Sequence, residues 1–232
     1  MIKNIIFDVY GTLINTGTGS VDATQKIFGK YNLDISSKDI YRRWKELHKI
    51  YMRKDGEFIT EREIFITDLK QLFLELNINE DPETEVRPML ESLLNRKLYV
   101  DVEESMNDII EKYVTAIGST TDSVPLFSNI KNTVLEKIPY IFTSESLKVY
   151  KPKGEFYKKI LDEMNWNAEE TLFVGDSIEE DIIGPQKNGL KTILINRRNI
   201  TDKSILSIPD RVITEMNELL KAIELIDGLE KM

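Results

Sequence analysis

Short apolar runs bounded by polar or turn residues recur along the chain. They are Ile5-Ile6-Phe7, Val124-Pro125-Leu126-Phe127, Tyr140-Ile141-Phe142, Thr171-Leu172-Phe173-Val174, Thr192-Ile193-Leu194-Ile195 and Arg211-Val212-Ile213. Uninterrupted runs of this length suit strands buried on both faces, as in a parallel sheet. Segments of helical length lie between most of them. Lys153 to Met164 carries Phe156, Ile160, Leu161 and Met164 at helical spacing, and Asn217 to Leu229 carries Leu219, Leu220, Ile223 and Ile226 in the same way. Alternation of strand and helix from residue 124 onward predicts a doubly wound α/β domain with a parallel sheet.

Residues 16–95 read differently, with no convincing strand and several amphipathic helices. Tyr41, Trp44, His48 and Tyr51 fall on one helical face, and Ile64, Leu69, Leu72, Phe73 and Leu76 form a second stripe. The organisation expected is an α/β core made of residues 1–15 and 96–232, with an all-helical domain over 16–95 inserted after the first strand. No internal repeat or low-complexity stretch interrupts this plan.

Composition narrows the chemistry. The chain has 232 residues, with 31 Lys plus Arg against 40 Asp plus Glu, a net charge of −9. An acidic surface argues against non-specific binding to nucleic acid or to an anionic membrane, while leaving room for one locally positive site that takes a small anionic substrate. There is no cysteine, which excludes thiol catalysis and Cys-ligated zinc, and one histidine, His48, which excludes a multi-histidine metal site. No apolar run has the length of a membrane span. The N-terminal segment meets an acid at Asp8, unlike a signal peptide, so a cytoplasmic protein is expected.

Two acids follow predicted strands directly. Asp8 follows Ile5-Ile6-Phe7, and Asp176 follows Leu172-Phe173-Val174-Gly175. Ligands of open α/β sheets bind at the carboxyl ends of strands, so both carboxylates are expected in one crevice. Close carboxylates raise each other's pKa unless a cation intervenes, and a hard divalent ion, Mg²⁺ above all, answers that need. Ser128-Asn129 ends the Val124–Phe127 run ahead of an expected short helix, a seat for a phosphate. Lys151, in Tyr150-Lys151-Pro152, stands before the helix near Lys153 as a point charge. Ser177-Ile178-Glu179-Glu180 has capping-box spacing, which puts Asp181 in a first helical turn. Pro185 falls inside that helix and predicts a bend or break there.

Each residue also has a plainer reading. Asp8 and Asp176 can be satisfied turn acids, Ser128 a helix cap, Lys151 a surface lysine and Asp181 an ordinary first-turn acid. His48 reads best as a residue of the helical domain's core or surface. Arg42 beside Arg43 reads as a solvated face, and the Tyr41/Trp44/Tyr51 stripe as packing.

Taken in order, Asp8-Val9-Tyr10-Gly11-Thr12-Leu13, Ser128-Asn129, Lys151-Pro152 and Gly175-Asp176-Ser177 with Asp181 resemble the four-motif set of the haloacid dehalogenase-like hydrolase superfamily. The likeness covers about two-thirds of the chain, and the helical insert resembles that family's first type of cap domain. It implies a Rossmann-like core and a site in which Asp8 is a nucleophile forming a covalent aspartyl intermediate. Thr12, Ser128 and Asn129 would bind the transferring group. Lys151 would neutralise charge developing in the transition state. Asp8, Asp176 and the backbone carbonyl of Tyr10 would hold Mg²⁺, and Asp181 would orient Lys151 or a metal-bound water.

The set departs from the family's phosphatases at Tyr10, where they carry a general-acid Asp. In this respect, and in Tyr150 before Lys151, the chain is similar to true 2-haloacid dehalogenases, and Arg42 falls where those enzymes place a substrate-binding arginine. Metal-free dehalogenases, however, are similar to one another in carrying Ser-Ser-Asn where this chain has Gly175-Asp176. A second acid beside a nucleophilic carboxylate has a cost without a cation, whereas a missing general acid only slows turnover. The reading is therefore a Mg²⁺-dependent phosphatase of a small phosphorylated metabolite. The alternatives are a 2-haloacid dehalogenase and a weakly catalytic binding or regulatory protein.

Overall fold

The computed structural model describes residues 1–228 and divides into two compact units. The first unit comprises Met1–Asn15, Lys97–Thr120 and the chain from Ile130 onward; the second comprises Thr16–Arg96 and Thr121–Asn129.

The first unit is built on six strands: β1 (Asn4–Phe7), β2 (Val114–Ser119), β3 (Tyr140–Thr143), β4 (Thr171–Gly175), β5 (Lys191–Ile195) and β6 (Arg211–Ile213). All pair in parallel in the order β3-β2-β1-β4-β5-β6, a doubly wound, Rossmann-like arrangement. Every residue of β1 and β4 is buried, which explains their unbroken apolar runs. The direction of strand addition reverses between β1 and β4. Phe7 lies level with both Ile117 and Val174, so the chain leaves β1, β2 and β4 at nearly one height.

Helices of this unit are α6 (Val100–Lys112), α8 (Ser144–Leu147), α9 (Gly154–Met164), α10 (Gly184–Gln186), α11 (Lys203–Leu206) and α12 (Leu219–Ile226). Phe156, Tyr157 and Ile160 of α9 pack on Ile6, Ala116 and Phe173 of the sheet, with Tyr157 edge-on to Phe156 and Phe173. The helix expected over Asn217–Leu229 is a 3₁₀ turn followed by α12, and Leu229 lies outside the described residues. The segment after Ser177 is π-helical over Ile178–Ile183 and gives way to α10 at Gly184. Gly184 N–H donates to the Glu179 carbonyl, the wide π spacing, just before Pro185, which has no N–H to donate to Asp181.

One expected strand is a helix. Val124-Pro125-Leu126-Phe127 lies inside α7 (Ser123–Ile130), with Leu126 buried and Val124 and Phe127 exposed. Pro125 falls in the first turn, where its missing N–H is harmless. The strand that the sheet uses instead, β2, was hidden because Thr115, Gly118 and Ser119 interrupt its apolar run.

The second unit carries α1 (Gly19–Phe28), α2 (Ser37–Arg53), α3 (Glu61–Glu75), α4 (Pro82–Glu85) and α5 (Arg87–Ser92), together with most of α7. Its start signals are local. Ser36 caps α2 through Asp39 N–H, Thr60 and Glu63 form a capping box on α3, and Asp81 with Pro82 opens α4. Phe28, Trp44, Phe65 and Phe73 form the core in edge-to-face pairs with centroids 5.8–6.4 Å apart. His48 belongs to this core's rim. Its Nδ1 lies 2.7 Å from the buried Asp68 Oδ2, its Nε2 3.7 Å from Glu61 Oε1, and its ring stacks on Phe65.

Candidate active site

Asp8 is the first residue beyond β1, tied to the neighbouring strand by its N–H, which donates to the Val174 carbonyl at 2.9 Å. The chain then turns tightly, with the N–H groups of Thr12, Leu13 and Ile14 all directed at the Val9 carbonyl. Gly11 makes the turn possible. Its φ is +95°, and a Cβ there would come within 2.7 Å of Asp176 Oδ2. The same turn brings the Thr12 hydroxyl to donate to Asp8 Oδ2 at 2.9 Å. Tyr10 lies half-buried in this turn and pairs with Ile14 in a single bridge.

Lys151 reaches the site from the loop before α9. Its ammonium donates to Asp8 Oδ1 at 2.7 Å and to Asp181 Oδ1 at 2.8 Å, and its side chain is 0% exposed. Burial opposes the charge, but the facing Asp181 and Asp8 carboxylates outweigh it and raise the lysine's pKa. Phe156 and Phe173 stand against the ammonium, at 5.9 and 5.2 Å from their ring centres. Asp181 is placed by the π-helical turn, which returns its Oδ2 to the Ser177 N–H at 2.9 Å. The approach is so close that a Cβ at residue 175 would lie 2.3 Å from Asp181 Cγ, so only glycine fits there. The hydroxyl of Tyr157 donates to the Glu180 carbonyl of the same turn.

Asp176 lies at the end of β4. Burial and the nearby Asp8 raise its pKa, while Arg198, whose Nε donates to Asp176 Oδ2 at 2.6 Å, lowers it. Burial likewise holds the Asp181 carboxyl well above the usual range, against the pull of Lys151. Asp8, Asp176 and Asp181 each offer an oxygen within 4.8 Å of the others. Among the described residues, three carboxyl groups face two cations, Lys151 and Arg198, which leaves the cluster short of positive charge. The donor set is all hard oxygen, as Mg²⁺ requires. The residues therefore fit a divalent ion.

The structure thus brings Asp8, Thr12, Lys151, Asp176 and Asp181 together in the first unit. Ser128, Asn129 and Arg42 belong to the second. Ser128 is an exposed residue inside α7, because the run before it is helical and ends no strand. Asn129 is buried and committed to the backbone, with its side chain bonding Arg96 N–H and the Leu93 carbonyl at 2.8 Å each. Arg42 is exposed and pairs with Asp39 at 2.6 Å.

The residue that does end β2 is Ser119. It is fully buried, beside the end of β1, and its hydroxyl has no hydrogen-bond partner among the described residues. A buried hydroxyl without a partner is costly, and at the mouth of a sheet it points to a ligand. Two arginines after β5 also escaped the sequence reading. Arg197 grips Asp101 through two bonds of 3.1 and 2.8 Å, donates to the Thr12 carbonyl at 3.3 Å and lies 4.0 Å over the Tyr99 ring. Arg198 is the partner of Asp176. Two adjacent arginines after a strand carry the ordinary signature of a solvated turn.

Residues 5–195 match the family described as haloacid dehalogenase-like hydrolase. Pyrophosphatase PpaX of Bacillus mycoides is 25% identical over 232 residues, covering 98% of this chain and 99% of that one. Glyceraldehyde 3-phosphate phosphatase of Methanocaldococcus jannaschii is 32% identical over 91 residues, 39% of each chain. Among solved structures, YfnB of Bacillus subtilis bound to magnesium is similar with a TM-score of 0.79 at 21% identity, over 96% of this chain and 99% of that one. L-2-haloacid dehalogenase from Xanthobacter autotrophicus has a TM-score of 0.75 at 18% identity, over 99% and 100%. At these identities the structural likeness speaks for the fold. The chain belongs to the haloacid dehalogenase-like hydrolase family and is a hydrolase. No helix among the described residues is long and apolar enough to cross a membrane.

Proposed function

We propose that this hydrolase is a divalent-cation-dependent phosphatase of small phosphorylated metabolites, acting through a phosphorylated Asp8. The observation that carries the reading is the acid cluster. Asp176 and Asp181 stand within 4.8 Å of Asp8, an arrangement that serves a dianionic group only when a cation is shared among them. The full-length similarity to a pyrophosphatase and the partial similarity to a sugar-phosphate phosphatase support it.

An Mg²⁺ ion held by Asp8, Asp176 and the Tyr10 carbonyl would screen the negative charge of the phosphoryl group from the attacking carboxylate. A carboxylate oxygen of Asp8 attacks phosphorus, and the bond to the leaving oxygen breaks. Lys151 holds Asp8 in place and offsets the charge that gathers on the phosphoryl oxygens. The hydroxyls of Thr12 and Ser119 donate to the transferring group, Ser119 taking the part expected of Ser128. Asp181 keeps Lys151 oriented. Water then attacks phosphorus, restores the Asp8 carboxylate and releases phosphate. The helical unit acts as a cap of the family's first type and selects the substrate. Tyr10 carries a phenol where a carboxyl would be the stronger acid, so leaving groups that need no strong acid are favoured.

Tyr10 also favours a second reading, 2-haloacid dehalogenation, because a halide leaves without a proton. Phosphate release from a panel of phosphate esters and pyrophosphate, with Mg²⁺ or with EDTA, tests the first reading. Activity indifferent to EDTA would count against it. Halide release from 2-chloropropionate tests the second, and its absence removes that reading.

A further inference from the structure

Arg198 makes the shortest contact to Asp176, yet nothing in the motif set assigns it a part. It is delivered there by a braced loop. Asn196 closes the turn with two side-chain bonds to Ile200, of 2.9 and 2.8 Å. Arg197 anchors the same turn to Asp101 and to the Thr12 carbonyl, with only a tenth of its side chain exposed. Arg198 itself is different. Its side chain is 61% exposed while its Nε holds the 5%-exposed Asp176 at 2.6 Å. A guanidinium anchored at one end and open to water at the other can leave its carboxylate at little cost, whereas the fully buried Lys151 cannot.

We propose that Arg198 is a resident counter-ion of Asp176 that competes with the divalent cation, keeping the acid cluster stable without metal and the bound metal exchangeable. This rests on the reading of Asp8, Asp176 and Asp181 as a cation cluster, and not on which phosphorylated substrate is turned over. The physical cause is charge. A cation beside Asp176 repels a second cation from the cluster, and removing it strengthens the cluster's attraction for Mg²⁺.

The test is isothermal calorimetry of Mg²⁺ binding to the metal-stripped full-length chain, comparing wild type, Arg198→Gln and Arg198→Lys. Arg198→Gln should bind Mg²⁺ about tenfold more tightly, a discount on the unscreened Coulomb effect for an exposed group. Arg198→Lys, which keeps the charge, should stay within about threefold of wild type on the same argument. Melting of the stripped proteins is the second measurement. Arg198→Gln should melt lower than wild type in EDTA and gain more from added Mg²⁺. Unchanged or weaker Mg²⁺ binding in Arg198→Gln would overturn the proposal, as would equal tightening in Arg198→Lys. So would the absence of Mg²⁺ binding to the wild type. A phosphate-ester panel without turnover would sink the phosphatase reading alone and leave these binding constants to stand.

Discussion

Replacing Lys151 with methionine should destabilise the metal-free protein far more than the loss of an ordinary ion pair. The ammonium bridges Asp8 Oδ1 at 2.7 Å and Asp181 Oδ1 at 2.8 Å, and neither the lysine nor Asp181 has meaningful exposure. Methionine fills most of the volume, so the loss is electrostatic. A surface pair would contribute at most about 1 kcal/mol. Here two buried carboxylates lose their shared cation, and breaking a buried pair typically costs about 3–5 kcal/mol because the remaining charge stays desolvated. For a chain of 232 residues, each kcal/mol moves the melting point by about 2–4 °C, so a fall of roughly 6–20 °C is expected. The assay is urea unfolding at pH 7 in EDTA, followed by circular dichroism and repeated in an Asp181→Asn background. With one carboxylate already neutral, Lys151→Met should lose no more than about half as much, since residues that share a network do not add. A loss under 1 kcal/mol in the first background, or an equal loss in both, would refute the account of Lys151 as the charge that holds the cluster together.

Three further outcomes follow from named contacts. Tyr10→Asp places a carboxyl where a leaving group needs a proton, so phosphatase kcat should rise by about 10²-fold for poor leaving groups and little for good ones; a series of aryl phosphates of graded leaving-group pKa measures this. Burial opposes charge on His48, but its bonds to Asp68 and Glu61 outweigh that and leave its pKa pushed up to about 9. Because the folded value exceeds the unfolded one, about 6.5, the stabilisation is complete below pH 6.5 and fades as pH rises through 9. Wild type should therefore lose about 2–3 kcal/mol between pH 6 and 9.5 relative to His48→Phe, read from the fluorescence of Trp44 and Trp166 in urea. A parallel pH response in the two proteins would contradict the ion pair. Arg197→Met leaves the partly buried Asp101 without its guanidinium, holding only the Met216 N–H at 2.6 Å among the described residues, and frees the Thr12 carbonyl; kcat should fall about tenfold or more with KM little changed, and Arg197→Lys should recover only part, since lysine cannot grip Asp101 with two nitrogens.

Sheet strands were legible where burial on both faces forced a continuous apolar run, as in β1, β4 and β5, whose interior residues have no solvent-facing side. β2 is as deeply buried, yet it reads as no strand because three of its six residues are Thr115, Gly118 and Ser119. Ser119 is polar because it ends at the mouth of the sheet, with a hydroxyl that no group among the described residues satisfies. The feature that disguises the strand is the one that marks the site. Val124-Pro125-Leu126-Phe127 then drew the reading away, since four apolar residues can be half of a helix's two turns as easily as a strand. Asp8 and Asp176 were findable because each directly follows a strand-like apolar run, and Lys151 and Asp181 because each stands at the start of an expected helix in the same ordered set of motifs. Arg197 and Arg198 were not, because their meaning depends on partners far along the chain, Asp101 and Asp176. Charge in a turn is cheap in water and common on any surface. Only the fold shows that one of these guanidiniums is stacked on Tyr99 and the other is holding an acid that Asp8 repels. What local sequence withholds is thus the identity of each buried charge's partner, and in a cluster of three acids that partner decides which cations the site can hold.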